Sequence, residues 1–296
     1  MKAKWLIEDY EHDSSLQPLF DEIKRQGMEY KIIVNEPWKR TTTFNQFSDE
    51  DCVVFYGTLN LGRQLQKEKK WIPGVYCNFK NFYCHTYYSY WGKYLFNKDY
   101  MMLPMVELLR RKEEIFNSSL SPYSTNYKYE DGDEISYDNA IFIRPDSGAK
   151  PITGQILRYK DLEKEYKLFK NYAGNDLDQI ILVISSPKLI TEEWRCVVVD
   201  RKVVAFSQYQ VIGKLNIKRT ITPGALALAE EITKEEWQPD IAYTLDICRT
   251  TIDTYHLLEA NSFSCSGLYE SDPEAIVKEV SKSALKEWED FNKKPK

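Results

Sequence analysis

Histidine is scarce, with only His12, His85 and His256 in 296 residues, and the six cysteines (Cys52, Cys77, Cys84, Cys196, Cys248 and Cys265) include no Cys-x-x-Cys pair. A structural zinc centre needs closer ligand spacing than this. The cysteines therefore read as reduced, buried residues of an intracellular protein. No apolar run approaches the roughly 20 residues that a membrane-crossing helix needs. Glu8 and Asp9 stand where a secretory signal would carry its apolar core, so a cytoplasmic location is expected and the Asn117-Ser118-Ser119 sequon is idle. Positive charge is not in excess either: 40 Lys and Arg against 45 Asp and Glu leave a net charge of −5. A protein that coats nucleic acid needs a concentrated basic surface, so that class is disfavoured, although a local basic cleft is not. Several catalytic templates are missing too. Gly57 to Gln64 has the glycine spacing of a phosphate-binding P-loop but lacks its Lys and Ser/Thr, and there is no Gly-x-Gly-x-x-Gly, Gly-x-Ser-x-Gly or His-Glu-x-x-His.

What is present is the composition of a globular chain, 43% hydrophobic and 29% charged, long enough for two domains or one large one. A strand at Trp5-Leu6-Ile7, a helix over 16–26 ended by Gly27, and a strand at Tyr30 to Val34 predict a βαβ unit and a small parallel sheet. Cys52 to Gly57 reads as a third buried strand and Leu59 to Lys70 as a helix. No Pro- or Gly-rich linker follows, so any domain boundary is a packed junction. Between Trp71 and Tyr100 the chain is crowded with aromatics interleaved with Lys80, His85, Lys93 and Lys98. Such a segment can stack the bases of a single strand, but the negative net charge favours an aromatic core with tyrosine hydroxyls at its wet edge. A helix over 104–116 and a polar loop over 117–139 come next. The second half reads as strands at 140–144, 155–159, 179–185, 194–200, 203–210, 243–248 and 255–260, with helices at 160–171 and 272–291. Asp272 caps the last helix, Pro273 suits its first turn, and Ile276, Val277, Val280, Ala284 and Trp288 form its apolar stripe. Hairpins dominate here, so an α+β region with largely antiparallel sheets follows a small α/β domain.

Three clusters can carry chemistry. Residues two apart on a strand face the same way, so Glu259 and Asn261 present their oxygens together, and a hairpin turning near Thr251 to Asp253 sets Asp246 opposite Glu259. Two facing carboxylates repel unless something positive lies between them. With an amide oxygen they form an all-oxygen set suited to Mg2+; the alternative is carboxylates that face solvent or pair with Arg249 or a lysine. The second cluster is a buried strand ending in Arg144, followed by a small-residue loop with Gly148, Lys150 and Gly154. Glycines let backbone N–H groups approach a phosphate, and Arg144 and Lys150 add charge; a plain hairpin turn with surface charges is the competing reading. The third is Glu192-Glu193-Trp194-Arg195, whose arginine either reaches the same anion as Arg144 or pairs with a neighbouring glutamate.

Taken in order, Arg144/Lys150, Ser185-Ser186-Pro187, Glu193-Trp194-Arg195, Asp246 and Glu259-x-Asn261 resemble the ATP-grasp superfamily. Arg144 stands where most members carry their first phosphate-binding lysine. That departure resembles the branch named for two arginines and one lysine, here Arg144, Arg195 and Lys150. The N-terminal stretch, with Tyr56-Gly57 and Trp71-x-Pro73-Gly74, is similar to the preceding domain of phage and bacterial members. The resemblance implies an ATP-grasp bilobed fold behind a pre-ATP-grasp α/β domain at 1–103, a small lobe at 104–188 with the phosphate loop, and a large lobe at 189–296 with the metal site. It implies ATP and Mg2+ or Mn2+ as cofactors. Nucleotide would be held by Arg144, Lys150, Ser185, Ser186, Lys188, Leu189, Glu193 and Arg195, and metal by Asp246, Glu259 and Asn261. Ser264, Ser266 and Gly267 would position a substrate, because small polar residues near a helix start suit a carboxylate. The implied activity joins a carboxylate to an amine, or sometimes a thiol, of an amino acid or peptide through an acyl phosphate; Arg144, Lys150 and Arg195 stabilise the transferring charge. Such chemistry needs water excluded, and 213–231 is the candidate mobile cover. A kinase using the same clamp and a nucleotide- or nucleic-acid-binding module are the alternatives.

Overall fold

Trp5-Leu6-Ile7 lies in β1 (Lys4–Glu8), which is followed by α1 (Gln17–Arg25), β2 (Glu29–Ile33), β3 (Cys52–Tyr56), α2 (Leu59–Glu68) and β4 (Ile72–Gly74). These strands make the expected parallel sheet, in the order β2-β1-β3-β4, with Trp5 opposite Tyr30 on one side and Val54 on the other. The computed structural model describes residues 2–9, 14–34, 44–122, 126–128, 134–148 and 152–293. Onward from β4 come α3 (Cys84–Trp91), β5 (Met101–Pro104), α4 (Met105–Arg110), α5 (Lys112–Phe116), β6 (Asn126–Lys128), β7 (Glu134–Ser136), β8 (Ala140–Pro145), β9 (Gln155–Arg158), α6 (Leu162–Ala173) and β10 (Ile181–Ser185). The chain continues through β11 (Ile190–Val199), β12 (Lys202–Val211), β13 (Lys214–Lys218), α7 (Pro223–Ile232), β14 (Ala242–Thr250), β15 (Tyr255–Ser262) and α8 (Pro273–Asn292).

Two compact units result. The larger comprises Met1–Asn81, Thr191–Arg249 and Asp253–Lys296; the smaller comprises Phe82–Ile190 and Thr250–Ile252. In the larger, the N-terminal sheet and the five-stranded sheet β13-β12-β11-β14-β15 share one core. Trp5, Ile7 and Val54 meet Val197, Val199, Ala205 and Ala242 there, together with Ile276, Val277, Val280 and Ala284 of α8. Burial of so many aliphatic and aromatic groups is the main force holding the two sheets together. The Trp5 indole N–H donates to Ser281 Oγ at 3.0 Å, so this buried donor of β1 is satisfied by α8. Asp272 caps α8 as the sequence indicated, its carboxylate accepting from the Glu274 N–H at 3.0 Å.

The smaller unit is built on the antiparallel sheet β5-β10-β8-β9, whose Ile141, Ile143, Leu182 and Ile184 pack with Leu108, Phe116, Leu162 and Phe169 of its helices. The helix expected over 104–116 is two short ones that break at Arg111, preceded by β5. The aromatic segment is largely core: Tyr87, Tyr88 and Trp91 are 0%, 3% and 0% exposed. None of the three has a free face on which a base could stack, whereas Tyr90 of the same helix is 53% exposed. The segment 213–231 is not a bare connection. β13 is bonded along β12, and α7 buries Ala225, Ala229 and Ile232. Its Thr222 caps that helix, a Ser/Thr-before-Pro signal that also marks the helix in the sequence. No helix among the described residues is long and apolar enough to cross a membrane.

The shared core also holds an acid. Tyr76 donates its hydroxyl to Glu287 Oε1 at 2.6 Å on α8, and burial lifts the Glu287 carboxyl to about 7 from an ordinary 4.5. Between those two values the folded chain keeps a proton that the unfolded chain has lost, so this group favours folding below about pH 5 and that contribution disappears as pH rises through 7. Asp240, lifted by burial to about 6, acts in the same direction. The unfolding temperature is expected to rise as pH is lowered from 8 towards 5, and Glu287→Gln to flatten that slope in a pH series of melting curves.

Candidate active site

The polar site of the larger unit grows out of strand alternation. Along β14, Ala242, Thr244 and Asp246 point to one face; along β11, β12 and β15 the same face runs Val199–Val197–Arg195–Glu193, Ala205–Ser207–Tyr209 and Asn261–Glu259. At one end of that face the side chains are apolar and lie in the core with α8. At the other they turn polar, and Asp246 is paired across the hairpin with Glu259, and Thr244 with Asn261.

The positive group beside Asp246 is Arg195, on the neighbouring strand β11 across from Glu259. Its Nε and Nη2 donate to Asp246 Oδ1 and Oδ2, each at 2.8 Å, and its Nη1 donates to the Gly267 carbonyl at 2.8 Å. Arg195 and Asp246 are 8% and 2% exposed. Burial opposes the charge on Arg195, but the Asp246 carboxylate more than offsets it and keeps the guanidinium protonated. The two-pronged geometry is the strong form of this contact. Asn261 Nδ2 adds a longer contact to Asp246 Oδ2 at 3.5 Å. Arg249, the other candidate partner, pairs instead with Glu192 at 2.7 Å. Burial lifts the Glu193 carboxyl to about 7 against the hydrogen bond donated by Tyr209. The Tyr209 ring stacks on Tyr269 at 4.9 Å, and both rings flank the Arg195 guanidinium.

Among the described residues no cluster of three His, Cys, Asp or Glu side chains is placed to hold a metal. The set Asp246, Glu259 and Asn261 is instead two carboxylates and an amide on one face, and its donor chemistry fits Mg2+. Each Asp246 oxygen accepts from Arg195 yet keeps a second lone pair, and the Asn261 amide that donates to Asp246 leaves its own oxygen as an acceptor.

The remaining expected residues divide. Ser266 and Gly267 line a cavity of about 670 Å³ in the larger unit. Ser264 is fully buried; its hydroxyl donates to the Phe55 carbonyl at 2.7 Å and accepts from the Tyr76 N–H, so it ties the loop to β3. In the smaller unit Arg144 is 9% exposed and shares a face of β8 with Phe142. The chain returns against it at Gly154, where a Cβ would lie 3.4 Å from Arg144 Cβ, so that glycine permits close approach. Lys150 lies outside the described residues. Ser186 N–H and Oγ both donate to Asp99, and Lys188 Nζ reaches Asp99 Oδ1 at 2.5 Å. Burial raises the Asp99 carboxyl, but Lys188 and Ser186 outweigh it and hold it below its ordinary value. Ser185 and Leu189 are buried beside this cluster in sequence, 0% and 6% exposed.

Sequence reasoning did not single out Asp99, Tyr209 or Tyr269. Tyr209 lies in the strand expected at 203–210, where period-two alternation places it on the same face as Ser207, but only tertiary contact with Glu193 and Arg195 marks it; Asp99 gives no local signal. Asp146 was also missed. It accepts from the His85 backbone N–H at 2.7 Å and pairs with His85 Nδ1 at 2.5 Å, fixing the start of α3 to the end of β8.

No curated protein resembles the sequence closely enough to match it. Solved structures similar to the chain include D-cycloserine synthetase DcsG (10% identity, TM-score 0.60, covering 95% of this chain and 99% of that one). Others are the ATP-grasp ligase PsnB in complex with precursor peptide PsnA2 and AMPPNP (10%, 0.51, 95% and 97%) and D-alanine–D-alanine ligase from Bacillus anthracis (11%, 0.53, 98% and 99%). At such identities the likeness is one of fold, and it extends over nearly the whole chain. The family model described as ATP-grasp domain, R2K clade family 2, matches residues 126–279, just over half of the 296. With its mixed helices and antiparallel sheets, the chain belongs to the ATP-grasp domain family, R2K clade family 2.

Proposed function

We propose that the protein is a cytoplasmic, ATP- and Mg2+-dependent carboxylate–amine ligase that forms an amide or peptide-like bond through an acyl phosphate and releases ADP and phosphate. The observation that carries this reading is the placement of Asp246, Glu259 and Asn261 on one polar sheet face, within the stretch that matches the family. In this reading those three residues hold the metal, and Arg144, Arg195 and Lys150 are the two arginines and the lysine of the branch. The backbone from Ser185 to Leu189 receives adenine, with Lys188 and Glu193 beside the nucleotide. Bound Mg2+ supplies charge neutralisation at the transferring phosphoryl group. Because Arg195 is already neutralised by Asp246, its main work is to hold that carboxylate in position and to anchor the loop at Gly267. Ser266 and Gly267 then position the substrate. No covalent nucleophile of the enzyme is required. The similar structures, PsnB in complex with a precursor peptide and a D-alanine–D-alanine ligase, support an amino acid or peptide as the class to try first.

Incubating the full chain with ATP, Mg2+ and a panel of amino acids and short peptides is expected to release ADP and phosphate in proportion to amine consumed. AMP and pyrophosphate would instead indicate an adenylating enzyme, and a stable phosphorylated product formed without any amine would indicate a kinase.

A further inference from the structure

Two cysteines far apart in sequence meet in the larger unit. Cys77, shortly after β4, is 2% exposed; Cys265, shortly after β15, is half-buried and lines the cavity beside Ser266 and Gly267. Their side chains are hydrogen-bonded to each other, and both are free thiols. The backbone holds them there. One residue before each cysteine, the Tyr76 N–H donates to Ser264 Oγ at 2.9 Å and the Ser264 N–H donates to the Tyr76 carbonyl at 3.3 Å. The Gln66 side chain donates to the Cys77 carbonyl at 3.1 Å, and Ser266 Oγ donates to the Ser262 carbonyl at 2.6 Å, so both flanks are tied down. On α2, a Cβ at Gly62 would lie 3.4 Å from Cys265 Sγ, which packs the thiol from a third side. A disulfide cannot form once the two Cα atoms are more than about 7 Å apart. Backbones clamped to each other one residue upstream meet that requirement without rearrangement.

We propose that Cys77 and Cys265 form an oxidation site for hydrogen peroxide, which joins them in a reversible disulfide. Cys265, on the cavity side, attacks one peroxide oxygen; the O–O bond breaks, and the other oxygen leaves as hydroxide and takes up a proton to give water. Cys77 then attacks the sulfur of the resulting sulfenic acid; the S–O bond breaks, the S–S bond forms, and the second oxygen leaves as water with the remaining thiol proton. Two thiols are oxidised by two electrons in all, and one peroxide is reduced to two waters. A small oxidant suits the burial, because peroxide meets Cys265 through the cavity and never has to reach Cys77. The electrostatics separate this pair from other cysteines of the chain. Burial pushes the thiols of Cys52, Cys196 and Cys248 up, as in inert structural cysteines. At Cys77 the hydrogen bond from Cys265 outweighs burial and holds the thiol below its ordinary value. Once the pair has lost one proton, the other is shared between the two sulfurs, so the cavity-side sulfur carries thiolate character as well. The disulfide would fasten the loop that carries Ser266 and Gly267 to the segment after β4, and a thiol reductant releases it. None of this chemistry depends on the ligase reading.

The test treats the reduced full chain with a small excess of hydrogen peroxide, denatures it in an alkylating reagent and maps its peptides by mass spectrometry without reduction. The chain is expected to lose two of its six thiols and to yield one cross-linked peptide pair, Cys77 with Cys265, lighter than its parts by two hydrogens. Dithiothreitol is expected to restore all six. Cys77→Ala removes the second thiol, so oxidation is expected to stop at a sulfenic acid on Cys265 that dimedone captures. Cys265→Ala is expected to resist the same dose with its remaining thiols intact. Retention of all six thiols in the natural chain, a cross-link between any other pair, or sulfinic acid at Cys265 without a cross-link would overturn the proposal. Mapping the natural chain needs no variant, so it decides even if Cys77→Ala fails to fold. ATP turnover plays no part in the readout, so failure of the ligase reading leaves the outcome unchanged.

Discussion

Replacing Arg195 by methionine is expected to lower the unfolding free energy by about 3–5 kcal/mol, the usual cost of leaving one partner of a buried ion pair uncompensated. Asp246 is 2% exposed, and beyond Arg195 the Asn261 amide reaches it only at 3.5 Å, too long and too weakly polar to replace a two-pronged guanidinium. The same substitution releases the Gly267 carbonyl and the loop that lines the cavity. Adding Asp246→Leu to Arg195→Met is expected to recover more than half of the loss, because an apolar pair of similar volume often equals a buried salt bridge in stability. Denaturant midpoints of the two single variants and the double variant test this, and a single-variant loss below about 1 kcal/mol would mean that water reaches Asp246. Recovery of stability in the double variant would come without recovery of ATP turnover, since a metal-ligand candidate is gone.

Where the sequence was readable, alternation and local signals were the reason. The hairpin that sets Asp246 against Glu259 follows from period-two spacing on either side of a short turn, and the observed register pairs those two residues. The cap and stripe of α8 were equally plain. What the sequence did not reveal depends on tertiary partners. Arg195 offered two readings of equal standing, an anion contact or a neighbouring glutamate, and its partner is instead Asp246, 51 residues away. The shared core of the N-terminal and five-stranded sheets joins Trp5 to Ser281, and no local pattern encodes such a contact. The strand β13 within 213–231 was equally hidden, because it gains its structure from bonding to β12, as an edge strand with Leu215 76% exposed.

Glu259→Gln is expected to cut ATP-dependent product formation by about 100-fold, equivalent to ~2.7 kcal/mol of transition-state stabilisation, while the unfolding midpoint stays where it is. The contrast with Asp246 is physical. Glu259 is only half-buried at the polar end of the sheet face, so exchanging its charge for a neutral amide disturbs little packing. Mg2+ is a hard cation that prefers charged oxygen, so the amide oxygen of glutamine is a poorer ligand of nearly the same shape. The loss is therefore expected to appear as a raised Mg2+ requirement, and to shrink when Mn2+ is supplied instead. Measuring turnover across a Mg2+ titration distinguishes this from a general loss of activity, which would lower the plateau at every concentration alike. A Glu259→Gln protein with natural turnover and a natural Mg2+ dependence would place the metal elsewhere, and with it the assignment of Asn261, whose oxygen projects from the same face of the same strand.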